Sequence, residues 1–361
     1  MGRCTTRPQP QRLATGPLIA YTIAMPDSSQ ARSALPAPIP VTLLTGFLGS
    51  GKTTLLNHLV QQPALCHALV VINEFGQTAL DHLLVAHSTE QVVAPLAGGC
   101  LCCHLRGDLV QTLRDITWRF ARNGQRQFDR VLIETSGLAD PIPILQTLAS
   151  HPQLSGRYRL DGVICTLDLC HGNETLAQHP AALRQLASAD CILLTKPDQA
   201  SAAQHASLRL QLDHINPSAA RMEIRHGAIA ADQLLELVSA THHAARTSNT
   251  PITGTALLSP HPLSMRHAGS TLPADHGLAA TTVTFETPLA LAGLPQWIAA
   301  QTANLPGHVL RIKGLLHIEG AAVPYAIHGV GHSIYPPVPL QSWPNVDRRS
   351  HVIFITHTPA V

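Results

Sequence analysis

The chain has 361 residues, of which 45% are apolar and 13% are charged, and its formal net charge is +2. This composition predicts a globular protein with a substantial core, in one large domain or two ordinary ones. It provides no basic face, so we expect neither nucleic acid nor a membrane surface as a partner. No uninterrupted apolar run approaches the roughly 20 residues that a membrane span needs.

The cysteine pattern indicates a reducing compartment. Three of the eight cysteines lie within four residues, which suits a metal site better than a disulfide framework. We therefore expect a cytoplasmic protein. Histidine is abundant, at 22 residues, which fits metal handling and a compositional bias of the genome equally well.

Residues 1–36 differ in composition from the rest of the chain. They are rich in Arg, Pro, Ser and Ala and show no clear periodicity, which predicts a disordered tail. A mitochondrial-type presequence has a similar composition. A third interpretation is that translation starts at Met25 and that the preceding residues are a misassigned start. We favour a tail without function.

A glycine-rich loop follows the first predicted strand of the main domain. Gly46–Thr53 matches the pattern G-x-x-x-x-G-K-[ST], is entered from the apolar run 41–44 and leads into a helix-like segment, 54–60. Glycines in such a loop let backbone N–H groups turn toward a phosphate, and the helix N-terminus adds partial positive charge. Lys52 is expected to reach the β- and γ-phosphates and Thr53 to ligate Mg²⁺.

This loop predicts a nucleoside triphosphate site. A glycine-rich turn that binds nothing is the alternative, which the agreement between the loop and its flanks disfavours. The predicted nucleotide-binding residues of the loop are Gly46, Gly49, Ser50, Gly51, Lys52, Thr53 and Thr54.

Two further predicted strands end in polar residues that suit a phosphate crevice. The strand 68–72 runs into Asn73–Gly76, where a loop can sense the γ-phosphate, although an ordinary turn has the same composition. The strand that starts at Asp129 ends in Glu134, and Gly137 follows three residues later. In a P-loop protein Glu134 would hold the Mg²⁺ shell or a water molecule, and the Gly137 amide would bind the γ-phosphate. The predicted catalytic residues are therefore Lys52, Thr53, Glu134 and Gly137.

Three cysteines lie between these two segments. Cys100, Cys102 and Cys103 can supply thiolates to one ion such as Zn²⁺, and the paired glycines before them let the backbone fold around it. Zinc prefers four ligands, so His104, a carboxylate such as Glu74, water or a partner would fill the fourth place. An open place suits transfer of the ion better than a permanent site. Buried structural thiols are the alternative.

The segment Thr195–Asp198 predicts the base. It follows a late apolar strand, 191–194. An aspartate here can accept both the ring N–H and the amino hydrogens of guanine, which adenine does not offer, while the lysine stem packs along the base. A turn without ligand is the alternative. We predict GTP as the nucleotide, with Thr195, Lys196 and Asp198 as residues that bind it.

Strand and helix patterns alternate along residues 37–244, which predicts an α/β fold with a parallel sheet and right-handed crossovers. We expect the sheet of a P-loop NTPase, with helices on both faces. Residues 245–278 are rich in Pro, Ser, Thr and Gly and predict a linker. Residues 279–361 predict a smaller α+β domain, in which we expect His328 and His332 to face solvent rather than bind a metal.

Taken together, these motifs resemble the CobW family of P-loop GTPases, which includes the YjiA-like proteins and the zinc-regulated GTPase metalloprotein activators. The resemblance covers nearly all of residues 38–361, and its most specific element is the pattern C-x-C-C at residues 100–103. It implies hydrolysis of GTP to GDP and phosphate, coupled to delivery of Zn²⁺, or a similar ion such as Co²⁺, to a client metalloprotein. A homodimer is among the oligomeric forms we expect.

The sequence departs from this family at two positions. Relatives often carry a carboxylate directly after Asn-Glu-Phe-Gly, where this chain has Gln77, and some carry one directly before it, where this chain has Ile72. Those acids are associated with a metal site in relatives, so this segment contributes fewer metal ligands here.

Two other functions are consistent with parts of the sequence. A regulatory GTPase module could use the cysteines as a metal or redox sensor, and a P-loop kinase could use ATP, although Thr195–Asp198 argues against adenine. The sequence offers no evident arginine finger, so we predict slow basal hydrolysis that a client or a metal accelerates.

Overall fold

A parallel β-sheet and an antiparallel β-sheet organise the part of the chain that is described. The computed structural model describes residues 22–23, 37–73, 93–95, 105–240, 277–344 and 346–358. The strands are β1 Thr22–Ile23, β2 Ile39–Gly46, β3 Ala68–Asn73, β4 Val93–Pro95, β5 Ala121–Arg122, β6 Gln125–Arg126, β7 Arg130–Thr135, β8 Tyr158–Asp168, β9 Cys191–Thr195, β10 Ala220–Ile224, β11 Leu278–Phe285, β12 His308–Leu316, β13 Tyr325–Val330, β14 Ser333–Ile334, β15 Val338–Pro339 and β16 Ser350–His357.

Helices connect the strands of the parallel sheet and one packs on the antiparallel sheet. They are α1 Lys52–Leu59, α2 Leu105–Arg119, α3 Ile142–Ser150, α4 Gly172–Gln178, α5 Pro180–Ser188, α6 Ala202–Ile215, α7 Ala231–Ala240 and α8 Leu294–Ala303. Short 3₁₀ turns lie at Pro63–Leu65 and Leu291–Gly293. Helix α6 begins with a capping box, in which Ser201 and Gln204 satisfy each other's backbone N–H groups.

The parallel sheet has the order β10-β9-β8-β2-β7-β3-β4. Alternate residues of a strand point to opposite faces, and here both faces are buried. In β3, Leu69 and Val71 join the core under α2 and α3, whereas Val70 and Ile72 join the core under α1 and α7. Because helices cover both faces of the sheet, these strands appear in the sequence as continuous apolar runs.

The antiparallel sheet has the order β1-β14-β13-β12-β16-β11, with β15 also paired to β13. Its apolar face packs on α8, where Leu294 and Ile298 meet Ile312, Val352 and Phe354. β12 lies against α5, and β13 and β14 lie against α3. The second sheet therefore packs as a further layer on helices α3 and α5 of the first domain.

The two sheets share an apolar core and a buried charge cluster. Leu310, Val330 and Ile355 of the antiparallel sheet belong to the same core as the helices α2 and α3. Next to them the side chains of Arg311 and Asp190 form a fully buried ion pair.

The fold class predicted from the sequence is confirmed: a parallel sheet with helices on both faces and a smaller domain with one helix. The predicted strands and helices lie within a few residues of those observed. Helix α4, the hairpin β5–β6 and the short strands β1, β4, β14 and β15 were not predicted. Strands of two or three residues carry no detectable alternation. The expectation for His328 was wrong: its side chain is buried, with 4% exposed.

The proposed boundaries at 36, 244 and 278 fall at or near gaps in the described residues. Of the predicted tail, residues 1–36, only Thr22 and Ile23 are described, and Thr22–Ile23 pairs in parallel with Ser333–Ile334. Most of the predicted linker lies outside the described residues, and β11 starts at its last residue, Leu278.

Candidate nucleotide-binding site

The phosphate loop turns at the carboxyl end of β2 and leads into α1. Gly46 has a φ of 140°, and a Cβ there would lie 2.5 Å from the carbonyl oxygen of Thr166. Gly51, with a φ of 95°, is the N-cap residue directly before α1. These two positions require glycine, and they bring the loop around the helix N-terminus, where the first N–H groups have no partner within the helix. Gly49 also has a positive φ, 71°.

Hydroxyl groups tie the loop to the neighbouring strand ends. The hydroxyls of Ser50 and Thr166 are 2.7 Å apart, and Thr195 Oγ1 donates to the Ser50 carbonyl at 2.8 Å. On the other side, Thr135 Oγ1 donates to Thr45 Oγ1 at 3.0 Å. The loop is therefore held by β8 and β9, and β2 by β7. Sequence reasoning missed Thr166 and Thr135, although both are hydroxyl residues at the end of an apolar strand.

Lys52 lies inside the loop. Its side chain is buried, and Nζ donates to the carbonyl oxygens of Gly46 at 2.9 Å and Phe47 at 3.2 Å. A loop that surrounds a single cation in this way is suited to a polyanionic ligand. Thr54, which the sequence also predicts to bind the nucleotide, is exposed on the first turn of α1.

Thr53 and Glu134 meet beside the loop. Thr53 Oγ1 donates to Glu134 Oε1 at 3.2 Å, although 81 residues separate them along the chain. Glu134 is buried at the end of β7, so its carboxylate is removed from bulk water. A hydroxyl and a carboxylate oxygen at one point are the kind of hard ligands that Mg²⁺ takes, and these two residues fit that ion.

Gly137 lies against the phosphate loop. A Cβ at this position would lie 2.7 Å from the backbone nitrogen of Leu48 and 2.9 Å from its Cα. Any other residue would force the two segments apart, so the close approach requires glycine. The N–H of Ala139 donates to the carbonyl of Ser136 at 3.0 Å, which closes a tight turn around Gly137.

The segment that the sequence predicts to bind the base, Thr195–Asp198, is anchored by an aspartate that sequence reasoning missed. Lys196 has a φ of 55°, rare for a residue with a side chain, and its Nζ donates to Asp168 Oδ2 at 2.8 Å. Asp168 Oδ1 also accepts the N–H of Cys170 at 2.8 Å. Burial raises the pKa of Asp168, but hydrogen bonds from Lys196, His171 and the Cys170 N–H outweigh it, so the pKa lies below its usual range. Asp198 is exposed on the same turn.

The proposed metal ligands are not among these residues. Cys100, Cys102, Cys103 and Glu74 lie outside the described residues, as do His104 and Gln77. Within the described ranges, no three His, Cys, Asp or Glu side chains are grouped so that they could hold an ion. The described cysteines, Cys66, Cys165, Cys170 and Cys191, are free thiols. Burial raises the pKa of Cys165 and of Cys191 to about 12, so neither is a ready thiolate.

A glycine loop between a strand and a helix, with Lys52 inside it and Thr53 meeting Glu134 beside it, defines a P-loop nucleoside triphosphate-binding protein. Residues 40–223 match the model of the CobW/HypB/UreG nucleotide-binding domain, and residues 278–360 match that of the cobalamin synthesis protein cobW C-terminal domain. The chain belongs to the CobW family, which confirms the resemblance inferred from its motifs.

Similar proteins include zinc chaperones. The zinc chaperone YjiA of Escherichia coli is 43% identical over 53% of this chain and 59% of that protein. The zinc chaperone CobW of Pseudomonas aeruginosa is 33% identical over 62% of this chain and 66% of that protein. The chain thus spans about three fifths to two thirds of the length of these curated relatives.

A solved structure extends the likeness across both sheets. The crystal structure of the Zn(II)-bound YjiA GTPase from E. coli matches with a TM-score of 0.58 and 28% identity, over 89% of this chain and 95% of that one. Among the residues whose structure is described, no helix combines the length and the apolar character that crossing a membrane requires.

Proposed function

We propose that this protein is a GTPase that hydrolyses GTP to GDP and phosphate and uses the reaction to deliver Zn²⁺ to a client metalloprotein. The observation that best supports GTP binding and hydrolysis is the hydrogen bond between Thr53 and Glu134, beside the loop that encloses Lys52. The names of the relatives, zinc chaperones and a Zn(II)-bound GTPase, support the metal half.

The loop residues would bind and neutralise the phosphates. Lys52 Nζ now donates to two neutral carbonyls, and the more negative β- and γ-phosphate oxygens would compete for it successfully. Backbone N–H groups at the N-terminus of α1 would take further phosphate oxygens. Thr53 and Glu134 would hold Mg²⁺, which supplies charge neutralisation to the bridging oxygens when it is bound. The Gly137 amide would donate to the γ-phosphate.

Guanine specificity is assigned to Asp198 and Lys196. The ion pair with Asp168 holds the Lys196 ammonium group, so its aliphatic stem is the part available to a base. The exposed carboxylate of Asp198 would accept the ring N–H and the amino group of guanine. This supports GTP rather than ATP, and the kinase hypothesis has no observation in its favour.

Cys100, Cys102 and Cys103 are proposed to bind the cargo ion, with Glu74 as a candidate for the fourth ligand. Along the sequence these thiols lie between the two segments, after β3 and after β7, that we propose sense the γ-phosphate. Loss of the γ-phosphate would therefore change the geometry of the thiols and release the ion. Co²⁺ is a further candidate cargo because its ligand preferences overlap with those of zinc. A cytoplasmic location and a homodimer remain predictions.

The nucleotide half is tested with the Lys52→Ala variant. We expect the rate of GTP hydrolysis to fall by about 10²- to 10³-fold, because a charge that stabilises the developing negative phosphate is removed. Phosphate release is the readout, and thermal unfolding checks that the variant is folded. A wild-type protein that binds ATP more tightly than GTP, or a variant that hydrolyses GTP at the wild-type rate, would contradict the proposal.

The proposed metal binding is tested with Cys102→Ala, and Cys66→Ala is the matched control because Cys66 is an exposed free thiol that is not part of the triplet. Zinc content at a fixed nucleotide state should fall in the first variant only. Zinc affinity of the wild type should differ between a non-hydrolysable GTP analogue and GDP. Equal affinities in the two states would refute coupling, and zinc that never passes to an apo-metalloprotein would favour a sensor.

A further inference from the structure

Helix α5 holds the turn that contains Gly137. The side chain of Gln185, on α5, is fully buried, with 0% of the residue exposed. Its Nε2 donates to the carbonyl oxygen of Gly137 at 3.0 Å and to that of Ala139 at 2.9 Å. One side-chain amide thus uses both of its hydrogens on two carbonyls of the same tight turn.

The orientation of this amide is fixed by its neighbours. If nitrogen and oxygen were exchanged, the amide oxygen would face two carbonyl oxygens at hydrogen-bond distance, which is repulsive. In the observed orientation Gln185 Oε1 is buried and has no hydrogen-bond partner among the described residues. The hydrogen bonds that this amide makes within the described residues therefore both go to carbonyls of the Gly137 turn.

A second contact from α5 reaches the same segment. Arg184 Nε lies 2.9 Å from Asp140 Oδ2, and Asp140 Oδ1 accepts the N–H of Ile142 at 3.0 Å, at the start of α3. The segment from Gly137 to Asp140 is therefore held by adjacent residues of one helix at three points.

The supporting helix is itself firmly placed. Ser188 Oγ donates to the carbonyl of Gln185 at 2.9 Å. Two residues beyond the end of α5, Asp190 accepts the N–H of Val163 at 2.9 Å and forms the buried ion pair with Arg311. Gln185 thus acts from a support that is fixed to both sheets.

We propose that Gln185 is a positioning residue for GTP hydrolysis, which acts by holding the Gly137 turn at the distance from the phosphate loop that the γ-phosphate needs. The inference rests on the proposed function, since it presumes that the Gly137 amide donates to that phosphate. Gln185 touches no reacting atom, and it works through the two carbonyls it holds. Its loss should therefore lower kcat and leave GDP affinity nearly unchanged, because GDP has no γ-phosphate.

The first test is the Gln185→Leu variant, which keeps the buried volume and removes both donors. We expect kcat for GTP to fall by about 10- to 100-fold, as expected for a displaced group in a site that depends on position. The dissociation constant for GDP should change by less than about twofold. Gln178→Leu is the matched control, because Gln178 is an exposed glutamine on the adjacent helix α4, and its kcat should equal that of the wild type.

The second test distinguishes positioning from general loss of stability. In the Gln185→Glu variant a neutral carboxyl group can still donate one hydrogen bond to the turn, whereas a carboxylate can donate none and repels the carbonyls. Burial raises the pKa of a carboxyl group, so this exchange should occur near neutral pH. The rate of Gln185→Glu relative to the wild type should rise as the pH falls from about 8 to about 6, and Gln185→Leu should show no such rise.

The outcomes separate the two proposals. A wild-type protein that neither binds nor hydrolyses GTP refutes the proposed function itself. If the wild type hydrolyses GTP and folded Gln185→Leu keeps a kcat within about twofold of it, the positioning role is wrong. Should Gln185→Leu fail to fold, a Gln185→Glu profile parallel to that of the wild type is enough to overturn the role.

Discussion

The two ends of strand β9 carry polar residues of opposite kinds. At its carboxyl end, Thr195 is buried, and the turn that follows leaves Lys196 partly exposed and Asp198 exposed. Directly before its amino end, Asp190 is completely buried and faces the antiparallel sheet. Lys196 and Asp198 can therefore be reached from solvent, whereas Asp190 cannot.

The buried end is a cluster of charges rather than a single pair. Arg311 contacts Asp190 Oδ1, and Lys313 Nζ lies 3.6 Å from the same oxygen. Burial lowers the pKa of Lys313, and Asp190 opposes that shift. Lys313 Nζ also donates to the Ser218 carbonyl at 3.3 Å. The carboxylate of Asp190 thus offsets part of the cost of burying two cations between the sheets. Because Asp190 lies far from solvent, we expect its loss to reduce folding stability and to leave GTP hydrolysis unchanged.

The sharpest way to test this comparison is Asp190→Asn. The amide keeps the size of the side chain and an acceptor for the Val163 N–H, but it removes the negative charge that Asp190 presents to the buried Arg311 guanidinium. We expect the free energy of unfolding to fall by about 3–5 kcal/mol. Urea denaturation measures it, provided that the chain unfolds in one transition.

The matched control for this variant is Asp213→Asn, which removes a carboxylate that pairs with Arg221 and whose side chain is 61% exposed. An exposed pair contributes at most about 1 kcal/mol. If Asp190→Asn lowers the free energy of unfolding no more than this control, the amino end of β9 has no special structural role. If folded Asp190→Asn hydrolyses GTP at the wild-type rate, its role is in stability alone.

Residues at the carboxyl end could be predicted from the sequence because their motifs are contiguous. Gly46–Thr53 and Thr195–Asp198 each specify a loop and its ligand chemistry within eight residues or fewer. Glu134 was found for a related reason, since the end of a strand is readable and the carboxyl ends of parallel strands meet at one edge. The meeting of Glu134 with Thr53 follows from β2 and β7 being neighbours.

The supporting residues could not be predicted, because they depend on which strands and helices become neighbours. Asp168 acts on Lys196 from the adjacent strand end, and Gln185 reaches Gly137 across 48 residues. Asp190 and Arg311 are 121 residues apart, and each alone resembles a surface charge. The prediction that His328 faces solvent was wrong for the same reason, because alternation along a strand does not reveal that its outer face is covered by another layer.

At the open end of β9, Asp198→Asn should change the preferred base. In the proposed complex the carboxylate would accept two hydrogens of guanine, and replacing it would remove charge-assisted hydrogen bonds worth about 1.5–3 kcal/mol together. GTP affinity should therefore fall by roughly 10- to 150-fold. The asparagine amide can instead donate to the C2 carbonyl of xanthine, so affinity for xanthosine triphosphate should rise. Competition against a fluorescent guanine nucleotide measures both.

Folding stability provides the contrast with the opposite end of the strand. Asp198 is exposed, so Asp198→Asn should unfold within about 0.5 kcal/mol of the wild type. A variant that loses GTP without gaining xanthosine triphosphate would show that Asp198 does not contact the C2 position. A large loss of stability would show that this end of β9 is as structural as the other.

The smallest effect is expected from Asp168, which belongs to the open end but is partly buried. Burial raises the pKa of Asp168, but hydrogen bonds from Lys196, His171 and the Cys170 N–H lower it by more. The net effect is a lowered pKa in the folded protein. A carboxyl group whose folded pKa lies below the unfolded value, about 3.9, stabilises the fold at all pH values above that value. This contribution disappears as the pH falls through the folded pKa. Asp168→Asn should remove it, at a cost below about 1 kcal/mol because Lys196 is partly exposed and its charge is screened.

The difference in unfolding free energy between the wild type and Asp168→Asn should therefore be constant from about pH 7 to about pH 5 and shrink below about pH 4. Asp190→Asn should show a large difference at neutral pH that salt barely changes, since the buried charges there are not screened. The Asp168 difference should shrink with added salt. If the Asp168 difference grew as the pH fell, or persisted in salt, Asp168 would behave like the buried cluster of Asp190, Arg311 and Lys313. The distinction between the two ends of β9 would then not hold.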